Sequence, residues 1–233
     1  MKKEEYVYQV FQSVAEGYDA ANRRISLGLH MRWKRAAAKL LLRSTPPDGR
    51  VLDLCCGTGD MTALLLSLAP GLRVTGADFS PNMLAVARRR FEGESRAAFT
   101  TADAAALPYE DAAFDGAAIS FALRNTADYP RVLGELARVV KSGAPVCVID
   151  SFRPRSRFVR FFYDIYFSCV MPILGGGRAK REEYRWLCRS TREFISPDGL
   201  EKLMAGQGLS AAVKKSFMFG SCACVCAHRE ERE

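Results

Sequence analysis

Through the middle of the chain, short runs of apolar residues alternate with stretches whose apolar positions recur at helical spacing. Val51-Leu52-Asp53-Leu54 follows the turn Pro46-Pro47-Asp48-Gly49 and breaks into the small-residue turn Cys55-Cys56-Gly57-Thr58-Gly59 before a helical segment. The pattern predicts strands at Arg50–Leu54, Arg73–Ala77, Ala97–Thr101, Phe114–Ser120 and Ala144–Asp150, each beside a helix such as Pro81–Phe91 or Tyr129–Val140. Pro81 follows Ser80, a helix-capping residue, at a first-turn position where no amide donor is needed. Strand and helix alternating in this way build a parallel sheet covered on both faces. Two helices, Glu4–Glu16 and Leu29–Leu42, come before it. After it the pattern predicts helices near Phe158–Met171, Lys180–Glu193 and Asp198–Gln207, then strands Ala211–Phe217 and Cys222–His228 that pair as an antiparallel hairpin on the sheet edge. The expected fold is a single α/β domain with a seven-stranded, mostly parallel sheet. Residues 1–45 would form an N-terminal helical lid, 46–150 the core, 151–208 a helical insertion and 209–233 the hairpin.

Composition narrows the class. The 233 residues, 48% apolar, suffice for one domain with a substantial core. No run approaches the roughly twenty apolar residues that span a bilayer, and Met1-Lys2-Lys3-Glu4-Glu5 lacks the apolar stretch of a signal peptide, so a cytoplasmic protein is expected. In that reducing compartment the eight cysteines are expected to be thiols, and no C-x-x-C pair suggests structural zinc. Cys222, Cys224 and Cys226 would share one face of a strand at a spacing of about 7 Å. That is too wide for adjacent ligands of one tetrahedral metal, so they are read as small core residues and no metal is expected.

The candidate chemistry starts at the glycine turn. Gly57 and Gly59 let backbone amides approach a ligand, and Asp78 follows about twenty residues later, the spacing at which a strand-end carboxylate meets ribose hydroxyls. A further acidic turn, Asp103-Ala104, comes after the third strand. A dinucleotide site would carry a third glycine where Thr62 stands, and no phosphate-binding Lys-Ser/Thr follows. S-adenosylmethionine fits better: its ribose needs the strand-end acids, and its cationic sulfonium tolerates Asp53 and Asp60, which would repel a pyrophosphate.

Several separated motifs give the chain a family resemblance from about Val10 to His228. Tyr18-Asp19-Ala20-Ala21-Asn22, Ser26-Leu27-Gly28 and Trp33-Lys34-Arg35 resemble the Y-D-x-x-N, S-x-G and W-[KR]-R opening of the menaquinone/ubiquinone biosynthesis C-methyltransferases. Asp103-Ala104 with Leu107-Pro108-Tyr109, Phe121-Ala122-Leu123-Arg124-Asn125 and Tyr184-Arg185-Trp186-Leu187 through Phe194 resemble that family's D-A-x-x-L-P-F, F-G-L-R-N and Y-R-Y-L-x-x-S-x-x-x-F motifs. The sequence departs from the pattern at Cys55, at Ala122, at Lys141-Ser142-Gly143-Ala144, at Asp150-Ser151-Phe152 and at the charged terminus Arg229-Glu230-Glu231-Arg232-Glu233. The resemblance implies a Rossmann-like class I methyltransferase fold and S-adenosylmethionine as cofactor, held by Gly57, Thr58, Gly59, Asp78, Asp103, Ala104 and Ser120. It also implies methylation of a ring carbon of a polyprenylated quinol, with demethylmenaquinol the first choice over a benzoquinol.

Carbon methylation of a phenol requires a ring anion. A phenolic hydroxyl titrates near pH 10, so reaching the anion at pH 7 takes about 4 kcal/mol of stabilisation or a base. Arg124 suits the first route and is the leading catalytic candidate by resemblance, with Asn125 to orient the oxygen or a water. Tyr18 and Asp19 are second candidates, for positioning and proton acceptance, and His30 a third because its unperturbed pKa lies near neutrality.

Net charge adds a partner. The chain carries +8, with Arg153, Arg155, Arg157 and Arg160 interleaved among Phe152, Phe158, Phe161, Phe162, Tyr163, Tyr166 and Phe167. A basic, aromatic helix suits peripheral contact with an anionic membrane surface from which a lipid-tailed quinol is collected. The same patch raises an RNA methyltransferase as a rival, but Ser120-Phe121-Ala122-Leu123 stands where such enzymes carry [DN]-P-P-[YF], and no nucleic-acid partner is expected. A non-catalytic scaffold is a third reading, opposed by the retained Asp78, Asp103, Arg124 and Asn125. A homodimer is compatible with the chain.

Overall fold

The computed structural model describes residues 5, 12, 17–166 and 189–231. Seven strands form one sheet: β1 (Arg50–Leu54), β2 (Arg73–Asp78), β3 (Ala97–Thr101), β4 (Gly116–Ser120), β5 (Pro145–Ser151), β6 (Leu209–Phe217) and β7 (Cys222–Arg229), in the order β3-β2-β1-β4-β5-β7-β6. β1 to β5 run parallel, while β7 pairs antiparallel with both β5 and β6. The predicted hairpin is therefore present, with β7 inside it and β6 at the edge. Strand order reverses between β2-β1 and β1-β4, so the carboxyl ends of β1 and β4 open the crevice in which ligands of such sheets bind.

Helices cover both faces. α1 (Tyr18–Ile25) and α2 (Leu29–Leu41) come first; α3 (Asp60–Leu68) follows β1, α4 (Pro81–Arg90) follows β2, and α5 (Tyr129–Val139) lies between β4 and β5. α6 (Arg157–Ile165) and α7 (Pro197–Ala205) belong to the segment between β5 and β6. Ser80 caps α4 by accepting from the Met83 amide, with Pro81 in the first turn as expected. One core packs α5 and α7 against the sheet through Leu133, Leu136, Leu200 and Met204; the other packs α2 and α3 against the opposite face through Leu41, Leu65 and Cys224.

Differences from the sequence reading are local. α1 was not foreseen: it buries no residue fully, and in eight residues its apolar stripe, Tyr18, Ala21 and Ile25, is too short for a helix to be read. The expected helix Glu4–Glu16 lies outside the described residues apart from Glu5 and Gln12, as do most of Lys180–Glu193 and the end of Phe158–Met171. Phe114 makes only an isolated bridge to Val140, and β4 begins at Gly116. Ala122 has φ near −126°, so alanine there strains nothing; the left-handed residue of that turn is Phe121, at φ 57°.

One expectation is overturned. Cys147 and Cys226 are joined in a disulfide, with Cα atoms 4.0 Å apart. The physical reason is register: the two stand directly opposite one another on antiparallel β5 and β7, so their side chains leave the same face of the sheet. Strand alternation identifies the face shared by Cys222, Cys224 and Cys226, all buried, but not the cross-strand partner of the last.

Candidate active site

The turn after β1 is shaped by its glycines. Gly59 sits at φ 86°, and a Cβ added there would come within 2.6 Å of the Phe91 ring, so no side chain fits. Gly57, at φ 56°, would direct a Cβ into open space on the wall of a cavity of about 450 Å³. Gly57, Thr58, Asp78, Phe79, Asp103, Ala104, Ser120 and Asn125 all line that cavity, at the carboxyl ends of β1, β2, β3 and β4. Asp78 is anchored: its Oδ2 accepts the Gly57 amide and its Oδ1 the Ser80 amide, each at 2.9 Å. Burial pushes its carboxyl upward, against the pull of those amides. Asp103, more exposed, accepts the Ala105 amide at 2.9 Å.

Beneath the turn lies Asp53, fully buried. Its Oδ2 accepts the amide and hydroxyl of Thr62 at 2.9 and 2.7 Å, while its Oδ1 has no hydrogen-bond partner. Burial pushes its pKa up to about 6 despite those bonds. The open space at Gly57 and the strand-end acids Asp78 and Asp103 suit a cationic nucleoside and disfavour a pyrophosphate.

A second cavity, also of about 450 Å³ and lined mainly by apolar side chains, adjoins the first. Tyr18, Lys34 and Phe121 line both. Arg124 stands in the wall of the second, on the single 3-10 turn Leu123–Asn125 that follows β4. It is 6% exposed; its amide donates to Asp150 Oδ2 at 3.1 Å, and its Nη1 to Asp150 Oδ1 and, at 2.9 Å, to the Phe121 carbonyl. Burial works against the guanidinium charge, but Asp150 outweighs it and holds the Arg124 pKa above its ordinary value. The departure Asp150-Ser151-Phe152 thereby finds its use: Asp150 fixes Arg124, Ser151 lines the second cavity and Phe152 fills the core.

The boundary between the cavities is charged. Lys34, 7% exposed, donates to Asp60 Oδ2 at 3.1 Å and lies 5.9 Å from the centre of the Phe121 ring. Arg90 donates to Asp60 Oδ1 at 2.9 Å. Burial alone would raise the Asp60 pKa, but these two cations hold it below the ordinary carboxylate value. His30 Nε2 is 3.9 Å from Asp60 Oδ2, and its Nδ1 shares a 2.6 Å hydrogen bond with Ser26 Oγ. Tyr166 Oη donates to the Ile25 carbonyl, tying the end of α6 to α1 across the second cavity.

All seven predicted cofactor residues are gathered around the β1 turn, although Gly59 shapes that turn without lining the cavity. The four catalytic candidates separate. Tyr18 lines both cavities, Arg124 only the second and Asn125 only the first, while Asp19 lines neither: its Oδ1 accepts the Thr58 hydroxyl at 2.6 Å, and Arg90 lies 3.9 Å from its Oδ2. Lys34 was missed as a site residue. The signal was its place one helical turn beyond His30, which puts both on one face of α2. Among the described residues, no group of three or more His, Cys, Asp or Glu is arranged to hold a metal ion.

A glycine turn at the switch point of this sheet, acids at the next two strand ends and an adjoining apolar cavity define a Rossmann-like methyltransferase that uses S-adenosylmethionine. Solved structures agree on the fold: a methyltransferase in complex with its Haloferax volcanii activator superposes with TM-score 0.69 at 18% identity over 95% of this chain and 98% of its own. A Haemonchus contortus N-methyltransferase gives 0.63 at 16% identity, over 83% and 52%. The chain belongs to the ubiE/COQ5 methyltransferase family, whose model matches residues 1–229. A Thermus thermophilus demethylmenaquinone methyltransferase is 42% identical over 203 residues, 86% of this chain and 91% of the relative. The enzyme of that name from Staphylococcus aureus strain Newman is 36% identical over 229 residues, 97% and 94%.

Proposed function

We propose that this protein methylates a ring carbon of a polyprenylated quinol, with demethylmenaquinol as acceptor. The observation that carries the reading is the meeting of the two cavities at Tyr18, Lys34 and Phe121, with Arg124 buried in the wall of the apolar one. The relatives named demethylmenaquinone methyltransferases support the choice of acceptor. In the first cavity Asp78 and Asp103 keep lone pairs free for ribose hydroxyls, Ser120 and Asn125 offer further hydrogen bonds, and the glycine turn admits the ligand closely. Bound there, S-adenosylmethionine supplies an electrophilic methyl group. The protein's task is to make the acceptor carbon nucleophilic: Arg124, held rigid by Asp150, stabilises negative charge on the acceptor oxygen, and Tyr18 orients the ring at the junction. The apolar lining, from Ile25 to Phe162, lowers the polarity around the anion and so strengthens its attraction to Arg124.

The lipid tail determines where the enzyme works. Leu27, Phe158, Phe161, Phe162, Ile165, Met218 and Phe219 are exposed, Phe219 by 84%, and Leu27, Phe162, Met218 and Phe219 also line the second cavity. An apolar rim around that cavity, flanked by the exposed Arg153, Arg155 and Arg157, suits a cytoplasmic enzyme resting on the anionic inner surface of the membrane. No helix among the described residues is long and apolar enough to cross it.

The test is transfer of labelled methyl from S-adenosylmethionine to chemically reduced demethylmenaquinone, with the oxidised quinone in parallel. Turnover on the quinol alone supports the reading, since the quinone has no hydroxyl proton to lose; turnover on neither contradicts it. Sedimentation with vesicles tests the rim: binding to anionic but not zwitterionic vesicles, weakened by Phe158→Ser with Phe219→Ser, is expected, and unchanged binding by the double variant contradicts it.

A further inference from the structure

The acceptor hydroxyl must lose a proton, and the carboxylate expected to take it is turned elsewhere: Asp19 is bonded to Thr58 and lines neither cavity. We propose that Ser26 and His30 form a proton-accepting pair in the wall of the second cavity, the Ser26 hydroxyl relaying the phenolic proton of the acceptor to Nδ1 of His30. This rests on the quinol reading above.

Four observations converge. Both residues line the second cavity, where the acceptor ring would lie, and not the first. Their side chains are joined at 2.6 Å, within hydrogen-bond reach for a relay. The Ser26 proton has two resting places, the Asn22 carbonyl at 2.7 Å and His30 Nδ1, and a phenol donating to Oγ would leave the second as its outlet. On the far side of the ring Asp60 Oδ2 lies 3.9 Å from Nε2, placed to favour an imidazolium once formed, in the manner of an orienting carboxylate.

The electrostatics keep the pair ready. His30 faces Lys34 on its own helix, Asp60 on α3, and Asp19 and Arg23 on α1. Burial first, then Lys34, lower its pKa below 6.5, with Arg23 acting the same way and Asp60 and Asp19 opposing. At neutral pH the imidazole is therefore uncharged and its acceptor lone pair available. In the forward step the phenol O–H bond breaks, an Oγ–H bond forms as Ser26 passes its own proton on, and an Nδ1–H bond forms, leaving a phenolate beside Arg124 and an imidazolium beside Asp60. The imidazole is restored by returning that proton to the ring oxygen, once the methylated carbon has released its hydrogen to water.

The test uses the full-length enzyme with reduced demethylmenaquinone, comparing wild type, His30→Gln and Ser26→Ala. His30→Gln should lower kcat by about a hundredfold or more while KM for the quinol and affinity for S-adenosylmethionine hold, with Ser26→Ala impaired in the same direction but less. Wild-type kcat should fall with an apparent pKa below 6.5 as the pH drops, and this acid limb should vanish in His30→Gln. A second readout needs no methyl donor. The chain has two histidines, so a His228→Gln background isolates the imidazole resonance of His30, whose titration should move when the quinol is added. Turnover by wild type with an unimpaired His30→Gln, an acid limb that survives it, or a His30 titration blind to the quinol would each overturn the pair while leaving the quinol reading intact. A His30→Gln protein that no longer binds S-adenosylmethionine would also overturn it, assigning His30 a structural role. Wild-type enzyme inert on any quinol would overturn the function, and the pair with it.

Discussion

Asp53→Asn separates what the glycine turn costs from what it does. Asparagine keeps an oxygen for the Thr62 amide and hydroxyl, removes the charge and sets an NH2 group where Oδ1 has no partner, a cost that does not vary with pH. Asp53 is fully buried, and burial lifts its pKa from 3.8 to about 6, so the folded protein holds a proton that the unfolded chain releases. A raised folded pKa means stability present below the unfolded value and lost as the pH rises through the folded one. Two pKa units at 1.36 kcal/mol each give a penalty of about 3 kcal/mol at pH 8, of which about half is present at pH 5. Asp53→Asn lacks this titration and should gain on wild type by about 1.5 kcal/mol between pH 5 and pH 8. The assay is urea unfolding of both proteins, without ligand, at those two pH values. With S-adenosylmethionine added the variant's gain should shrink, because it has lost a negative charge beneath the glycine turn, and each tenfold of weakened binding removes about 1.4 kcal/mol of ligand stabilisation. A stability difference that does not change with pH would refute the reasoning, since it would mean that Asp53 titrates alike in folded and unfolded protein.

Other perturbations probe neighbouring parts of the site. Asp150→Ala leaves the Arg124 guanidinium buried without its carboxylate and should destabilise the protein by about 3–5 kcal/mol in urea unfolding, with methyl transfer lost. Gly59→Ala puts a Cβ 2.6 Å from the Phe91 ring at φ 86° and should cost about 1–2 kcal/mol from the backbone alone, measured the same way. Lys34→Met should weaken binding of both S-adenosylmethionine and quinol in calorimetry, because Lys34 lines both cavities; an effect on neither would remove it from the site. Mass mapping of unreduced digests should recover a peptide linking Cys147 to Cys226.

Much of the architecture was legible because it rests on local rules. Short apolar runs between helical stretches mark parallel strands, and glycine and acid spacing around Gly57 and Asp78 marks a strand-end site. What escaped depends on neighbours that only the folded chain brings together. Arg124 and Asn125 are adjacent in sequence, yet on a 3-10 turn successive side chains diverge by about a third of a turn, and the two serve different cavities. The grip of Asp150 on Arg124 spans β4 and β5, and the Cys147–Cys226 bond depends on the register of β5 with β7. α1 left little trace because its apolar stripe, Tyr18, Ala21 and Ile25, is short and only half-buried.

The central claim is that this site makes a ring carbon, not an oxygen, the nucleophile. It is tested most directly by NMR of the product formed from demethylmenaquinol and carbon-13 methyl-labelled S-adenosylmethionine. The account predicts a labelled methyl bonded to the ring carbon, at an aryl methyl shift and with both ring oxygens unmodified. A methoxy resonance in its place would contradict it.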